Sequence, residues 1–188
     1  MAEMNPVARF FVNLGNARRS ARLLRTLDPL GIVPPSSRLL ELGAGRGGLS
    51  ARLAERYRPA RLVVTDFDPH QLEAARRTLT RRLGTVPATV ELRQVDATQL
   101  PFEDRSFDVV FAILMLHHVE AHHDEYRQRP VALREIRRVL VPGGALVYSD
   151  FSRTDDLRRT LDELGFVRRL LRRRWPHREL AVYAAPAS

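Results

Sequence analysis

Glu41, Asp66, Asp96 and the pair His117-His118 each stand at or just beyond the end of an apolar run of strand length. Carboxylates placed that way can hold the hydroxyls and the cationic end of a small ligand, and a histidine can move a proton near neutral pH. The densest signal is Leu39-Leu40-Glu41-Leu42-Gly43-Ala44-Gly45-Arg46-Gly47-Gly48-Leu49-Ser50, an apolar strand, a glycine-rich turn and the start of a helix. Glycine is required in such a turn because the backbone must adopt angles closed to residues with a Cβ and must approach a ligand closely. A second apolar run, Leu62-Val63-Val64-Thr65, ends on Asp66, about 20 residues after Gly45, which is the spacing at which a carboxylate accepts hydrogen bonds from ribose hydroxyls.

The glycines also satisfy the dinucleotide pattern, with Gly43, Gly45 and Gly48 in the three places, so an NAD-type dehydrogenase is the competing reading. Glu41 argues against it. A dinucleotide fold has an apolar residue at that buried strand end, and a carboxylate there would repel a pyrophosphate but suit a ligand cation such as a methionine-derived ammonium. Asp96-Ala97 closes a third strand, where a polar group reaches an adenine edge, and Phe67 offers a ring for stacking. His117 and His118 follow a fourth strand and are the candidates for a general base, against the commoner role of packing or bonding backbone. His122, His123, Asp124 and Glu125 lie close by, but adjacent histidines point in different directions and no helix-spaced pair follows, so no metal site is expected.

The elements that must position these residues follow from the pattern. Val7, Phe10, Phe11, Leu14, Ala17, Ala21, Leu24 and Leu27 recur at helical spacing and predict an N-terminal helical cap over residues 1–37. Strands are expected at Arg38–Leu42, Arg61–Thr65, Thr89–Val95, Phe107–Leu114 and Ala145–Asp150. Helices are expected at Leu49–Tyr57, through Leu72 to Leu83, and around Ala132–Leu140. Such alternation means a parallel sheet with helices on both faces, an α/β architecture. After a helix at Asp155–Leu164, Phe166–Leu171 and Glu179–Ala185 read as two strands joined by Arg172-Arg173-Arg174-Trp175-Pro176-His177. That link is too short for a crossover, so these strands should pair antiparallel, with the arginines as a solvated turn.

A chain of 188 residues with 44% hydrophobic content suits one domain, residues 1–188, with a catalytic core over 38–188. It carries no cysteine, which excludes disulfides, thiolate metal sites and a cysteine nucleophile. No apolar stretch approaches membrane-span length, and the first residues carry no charged leader, so a cytoplasmic protein is expected. The net charge of +9 rests on arginine alone, since the chain has no lysine; it leaves nucleic acid or an acidic membrane surface open as partners without favouring either over a solvated surface. The oligomeric state is not legible.

From about Leu39 to Ala185 the chain resembles the class I S-adenosylmethionine-dependent methyltransferases, especially the small UbiE-like group. Glu41-Leu42-Gly43-Ala44-Gly45-Arg46-Gly47 is similar to the first motif of that family and Thr65-Asp66-Phe67-Asp68-Pro69 to the second. Asp96-Ala97 with Leu100-Pro101-Phe102 is similar to the third. Phe107–Ala112 with Leu116-His117-His118-Val119, then Leu133–Gly144, resembles the fourth strand and the helix-to-strand turn after it. The resemblance implies a Rossmann-like, seven-stranded, mostly parallel sheet whose last strand inserts antiparallel beside the fifth, and S-adenosyl-L-methionine as cofactor. It further implies that Glu41 and the backbone at Gly43 and Gly45 hold the methionine end and Asp66 the ribose. Phe67, Asp96 and Ala97 would hold the adenine, and the Ala112 carbonyl the amino group. The stretch Val119–Pro130 is longer than the usual loop.

Absences narrow the acceptor. No Asn-Pro-Pro-aromatic motif follows the fourth strand, which by family comparison argues against amino methylation of adenine in nucleic acid. Lacking cysteine, the chain cannot take the covalent route to cytosine carbon methylation, and lacking lysine it cannot build the lysine-centred tetrad of one ribose methyltransferase group. A small-molecule, lipid or quinone-like acceptor remains. An RNA-directed enzyme and a non-catalytic cofactor-binding module are the alternatives. Phe10, Phe11, Asn13, Arg18 and Arg19 with the His118–Arg129 loop are the expected lids. Met115, Tyr126, Tyr148 and Phe151 are read as core more readily than as an acceptor pocket.

Overall fold

The computed structural model describes residues 20–119, 128–151, 155–174 and 178–187. The central strands are β1 (Arg38–Leu42), β2 (Arg61–Asp66) and β4 (Phe107–Ile113), and almost every residue in them is buried, as strands covered on both faces must be. With β3 (Val90–Gln94), β5 (Leu140–Phe151), β6 (Val167–Arg174) and β7 (Arg178–Ala184) they form one seven-stranded sheet in the order β3-β2-β1-β4-β5-β7-β6. The first five strands run parallel; β7 is antiparallel to both β5 and β6. The expected mostly parallel sheet and inserted antiparallel strand are therefore present.

Helix α1 (residues 20–27), α2 (Gly48–Tyr57) and α3 (Pro69–Leu83) cover one face; α4 (Leu116–Val119), α5 (Gln128–Val139) and α6 (Asp155–Glu163) cover the other. Each face has its own core, with Leu24, Leu53, Leu62, Val64 and Phe111 in the first and Leu40, Val110, Ile136, Leu146 and Leu161 in the second. Helix α3 starts sharply because Pro69 fixes its first position and the Asp68 side chain accepts from the His70 N–H at 2.8 Å. Of the predicted cap, residues 1–19 lie outside the described residues; Leu23, Leu24 and Leu27 of α1 are buried against the first core.

Two expectations change. The arginine run is not a turn: Arg172, Arg173 and Arg174 belong to β6 and pair with Leu180, Glu179 and Arg178. Strand pairing outweighs the charge density because β7 offers seven consecutive residues whose alternate side chains reach the core. β5 also begins earlier than predicted, at Leu140 rather than Ala145, and absorbs the Pro142-Gly143-Gly144 turn as an irregularity: Phe107 pairs with Leu140, and the register shifts before Val109 pairs with Ala145. Gly144 is required there, since a Cβ would come within 3.0 Å of the Asp108 carbonyl and closer still to that of Val141.

Candidate cofactor and acceptor site

The order β2-β1-β4 puts a topological switch point at the carboxyl end of β1, where a connection leaves on each face and a crevice opens. The glycine turn sits there. Gly43, Gly45 and Gly47 all have positive φ, and the turn is tied down by the Ala44 N–H donating to the Thr65 carbonyl and the Gly47 N–H to that of Ala44. The three glycines serve different ends. A Cβ on Gly43 would lie 2.5 Å from Cβ of Met115, and one on Gly47 would lie 2.7 Å from Cα of Ala75 in α3, so both are packing glycines. A Cβ on Gly45 would meet nothing within 4 Å, which leaves an open approach to the backbone at the crevice.

Glu41 is 3% exposed, one residue before the end of β1. Its Oε2 has no hydrogen-bond partner among the described residues. Its pKa is pushed up to about 8, chiefly by burial; the Ser50 side chain in the first turn of α2 opposes the rise and the Asp66 carboxylate adds to it. The Oε2 of this buried carboxylate lacks a cation or donor that a ligand at the glycine turn could supply. The residues present thus fit a ligand with a cationic end, as the ammonium of an amino acid has.

Asp66 ends β2. Its Oδ2 accepts from the Gly45 N–H at 2.8 Å and its Oδ1 from the Asp68 N–H at 3.0 Å, so one carboxylate fixes the glycine turn and the start of α3. An ionised carboxylate offers about four lone-pair sites, which leaves acceptor capacity for hydroxyls. Phe67, next in the chain, is 48% exposed. Gln94 at the end of β3 donates to its carbonyl at 3.0 Å. Asp96 turns the chain after β3 by accepting from the N–H and hydroxyl of Thr98, and Ala97 packs on the second core. Ala112 is fully buried in β4 opposite Leu42. Glu41, Gly43, Gly45, Asp66, Phe67, Asp96 and Ala97 therefore all fall at the carboxyl ends of β1, β2 and β3, with Ala112 in the neighbouring β4.

His117 lies beyond β4, in α4. Its main-chain N–H donates to Oδ2 of Asp150 at 3.1 Å, and its Nδ1 lies 2.6 Å from Oδ1 of the same carboxylate. The backbone of His118 is helical, but its side chain lies outside the described residues, as do His122, His123, Asp124, Glu125 and Tyr126. Among the described residues no group of three or more His, Asp or Glu side chains is arranged to hold a metal ion. Met115 and Tyr148 are core residues. Burial raises the Tyr148 hydroxyl above its usual range, with the Asp150 and Glu179 carboxylates adding to the rise.

Sequence reasoning missed Asp150 and Glu179. They face each other across β5 and β7 and are 3% and 2% exposed. Arg158 of α6 caps Glu179, with its Nη2 on Oε2 and its Nε 3.4 Å from Oε1. The signal was the strand period: Leu146, Tyr148 and Asp150 share one face, as do Glu179, Ala181 and Tyr183, so two acids occupy core-facing positions.

This sheet order, with the glycine turn at its switch point and an antiparallel β7, defines the class I S-adenosylmethionine-dependent methyltransferase fold. Residues 40–148 match the family described as "Methyltransferase domain", and the chain belongs to that family. It is 37% identical over 132 residues to the malonyl-[acyl-carrier protein] O-methyltransferase of Halorhodospira halophila, covering 69% of this chain and 39% of that protein. It is 34% identical over 122 residues to the ubiquinone/menaquinone biosynthesis C-methyltransferase UbiE of Ectopseudomonas mendocina, covering 64% of this chain and 44% of that one. The chain spans about two fifths of the length of these curated relatives. A crystal structure of a SAM-dependent methyltransferase from Aquifex aeolicus superposes with a TM-score of 0.70 at 16% identity, covering 87% of this chain and 89% of that one.

Proposed function

We propose that the protein transfers a methyl group from S-adenosylmethionine to a small-molecule, lipid or quinone-like acceptor. The observation that carries this reading is the buried Glu41 carboxylate with its unpartnered Oε2, in the strand that leads directly into the glycine turn, a place suited to the ammonium of the cofactor's methionine end. Asp66 would accept from the ribose hydroxyls through the lone pairs left over from Gly45 and Asp68. Phe67, with Asp96 and Ala97, would bound the adenine, and the carbonyls at Gly43 and Ala112 would take further donors of the methionine end. The likeness to an O-methyltransferase and a C-methyltransferase supports an acceptor of this general class.

When bound, the cofactor supplies an electrophilic methyl on a sulfonium, whose positive charge disperses as the methyl moves. The protein's task is therefore to align donor and acceptor in line and to keep water out. His117 would take the proton of an acceptor hydroxyl or activated carbon; its position past the carboxyl end of β4, with its side chain 30% exposed, supports this reading. His118 is the second candidate on sequence grounds.

Calorimetric titration with S-adenosylmethionine, S-adenosylhomocysteine and NAD tests the reading at the cofactor. Binding of both sulfur nucleotides without NAD is expected, and NAD binding alone overturns it. Incubation with methyl-labelled cofactor and a panel of a malonyl thioester, a long-chain fatty acid and a quinol should label one of the three. Cofactor binding with no labelled product from any acceptor of this class would favour a binding module.

A further inference from the structure

His117 and Asp150 form a clamp whose geometry has a chemical consequence. One carboxylate oxygen, Oδ2, accepts the His117 main-chain N–H at 3.1 Å, while the other, Oδ1, stands 2.6 Å from the imidazole Nδ1. Asp150 is 4% exposed by side chain against 30% for His117, so the carboxylate is the fixed partner and the ring is the one that reaches outward. The Nδ1–Oδ1 approach falls outside hydrogen-bond geometry, but an ionised carboxylate offers only lone pairs and a bare Nδ1 lone pair 2.6 Å away would be repelled, so in the neutral imidazole the proton is favoured on Nδ1 and the basic lone pair on Nε2.

The strand pairing explains what keeps Asp150 in place. Its cross-strand neighbour is Glu179, another buried acid, and two carboxylates directly opposite each other on one face repel. Arg158 covers Glu179 from α6, and His117 meets Asp150 from α4, so each acid faces its own cationic or hydrogen-bonding partner rather than the other acid. This arrangement turns Asp150 towards the histidine.

Resting on the reading above in which His117 is the base, we propose that Asp150 is its positioning residue, fixing both the ring orientation and the Nδ1–H tautomer. The main-chain contact makes the proposal sharp. In Asp150→Asn, the carboxamide oxygen would stay on the His117 N–H, which needs an acceptor, and the amide NH2 would then face Nδ1. A donor at Nδ1 moves the ring proton to Nε2 and removes the basic lone pair from the outward side.

The test is 15N-detected ring correlation spectroscopy of the full chain saturated with S-adenosylhomocysteine, at a pH where the His117 ring is neutral, with His117 assigned through His117→Gln. The wild type should show the Nδ1–H tautomer and Asp150→Asn the Nε2–H tautomer. The affinity of Asp150→Asn for S-adenosylhomocysteine should stay within about two-fold, since Asp150 lies near the end of β5, with β4 between it and the strands that carry Glu41 and Asp66. An Nε2–H tautomer in the wild type, or an unchanged tautomer in the variant, overturns the proposal. The wild-type spectrum decides even where the variant fails to fold. Absence of S-adenosylhomocysteine binding to the wild type would instead overturn the underlying reading, which keeps the two failures distinct.

Discussion

Two strand ends treat a buried acid in opposite ways. At β1, Glu41 is 3% exposed and its Oε2 has no partner; at β5 and β7, Asp150 and Glu179 are as deeply buried, yet one is clamped to His117 and the other capped by Arg158. A fold that leaves one oxygen of a buried carboxylate unpartnered accepts a cost in free energy that a ligand's cation can relieve. Where the acid is partnered internally, it serves to hold other side chains. On the proposed reading the first arrangement is a binding position and the second a positioning network, although burial alone does not tell them apart.

The comparison is broken most severely on the partnered side. Arg158→Met would remove the guanidinium that caps the buried Glu179 carboxylate, and a loss of about 3 kcal/mol in unfolding free energy is expected, read by urea denaturation at neutral pH. At the carboxyl end of β2, Asp66→Ala removes the acceptor for the Gly45 and Asp68 N–H groups and the acceptor proposed for the ribose. It should weaken S-adenosylhomocysteine binding by about 1.5–3 kcal/mol in calorimetry.

On the unpartnered side the sign reverses. The Glu41 pKa is raised from an ordinary 4.5 to about 8, so the folded state binds the extra proton. The associated stability is full below about pH 4.5 and is lost as pH rises through about 8. Glu41→Gln should therefore raise the melting temperature of the ligand-free protein near pH 8, by a few degrees in a thermal scan, while binding the cofactor more weakly. Smallest is Gly45→Ala. No atom stands within 4 Å of the added Cβ, so only the strain of φ +54° remains, about 1 kcal/mol by denaturation, and much less than Gly47→Ala, whose Cβ would press on Ala75.

The strands and glycine turn of the proposed cofactor site were legible in the sequence because local chemistry and strand pattern agree there. Glu41, the glycine turn and Asp66 lie in or beside strands whose limits the apolar runs mark to within a residue. The sheet order was legible only through family resemblance, since alternation of strands and helices implies parallel pairing but not the sequence of neighbours. The arginine run misled because charge density suggests a turn, whereas β6 is fixed by its pairing with β7, a contact between segments that local pattern does not report. Asp150 was hidden for a related reason. Its role depends on His117, 33 residues away in the chain, and on Glu179 across the sheet.

The most direct test of the account is the proton balance when S-adenosylhomocysteine binds, measured by calorimetry near pH 7 in two buffers of different ionisation enthalpy. Because Glu41 is protonated there in the ligand-free protein and must ionise to meet the ammonium, the wild type should release close to one proton, and Glu41→Gln should release almost none while binding more weakly. Equal proton release and equal affinity in the two proteins would contradict the claim that Glu41 receives the cofactor's cation.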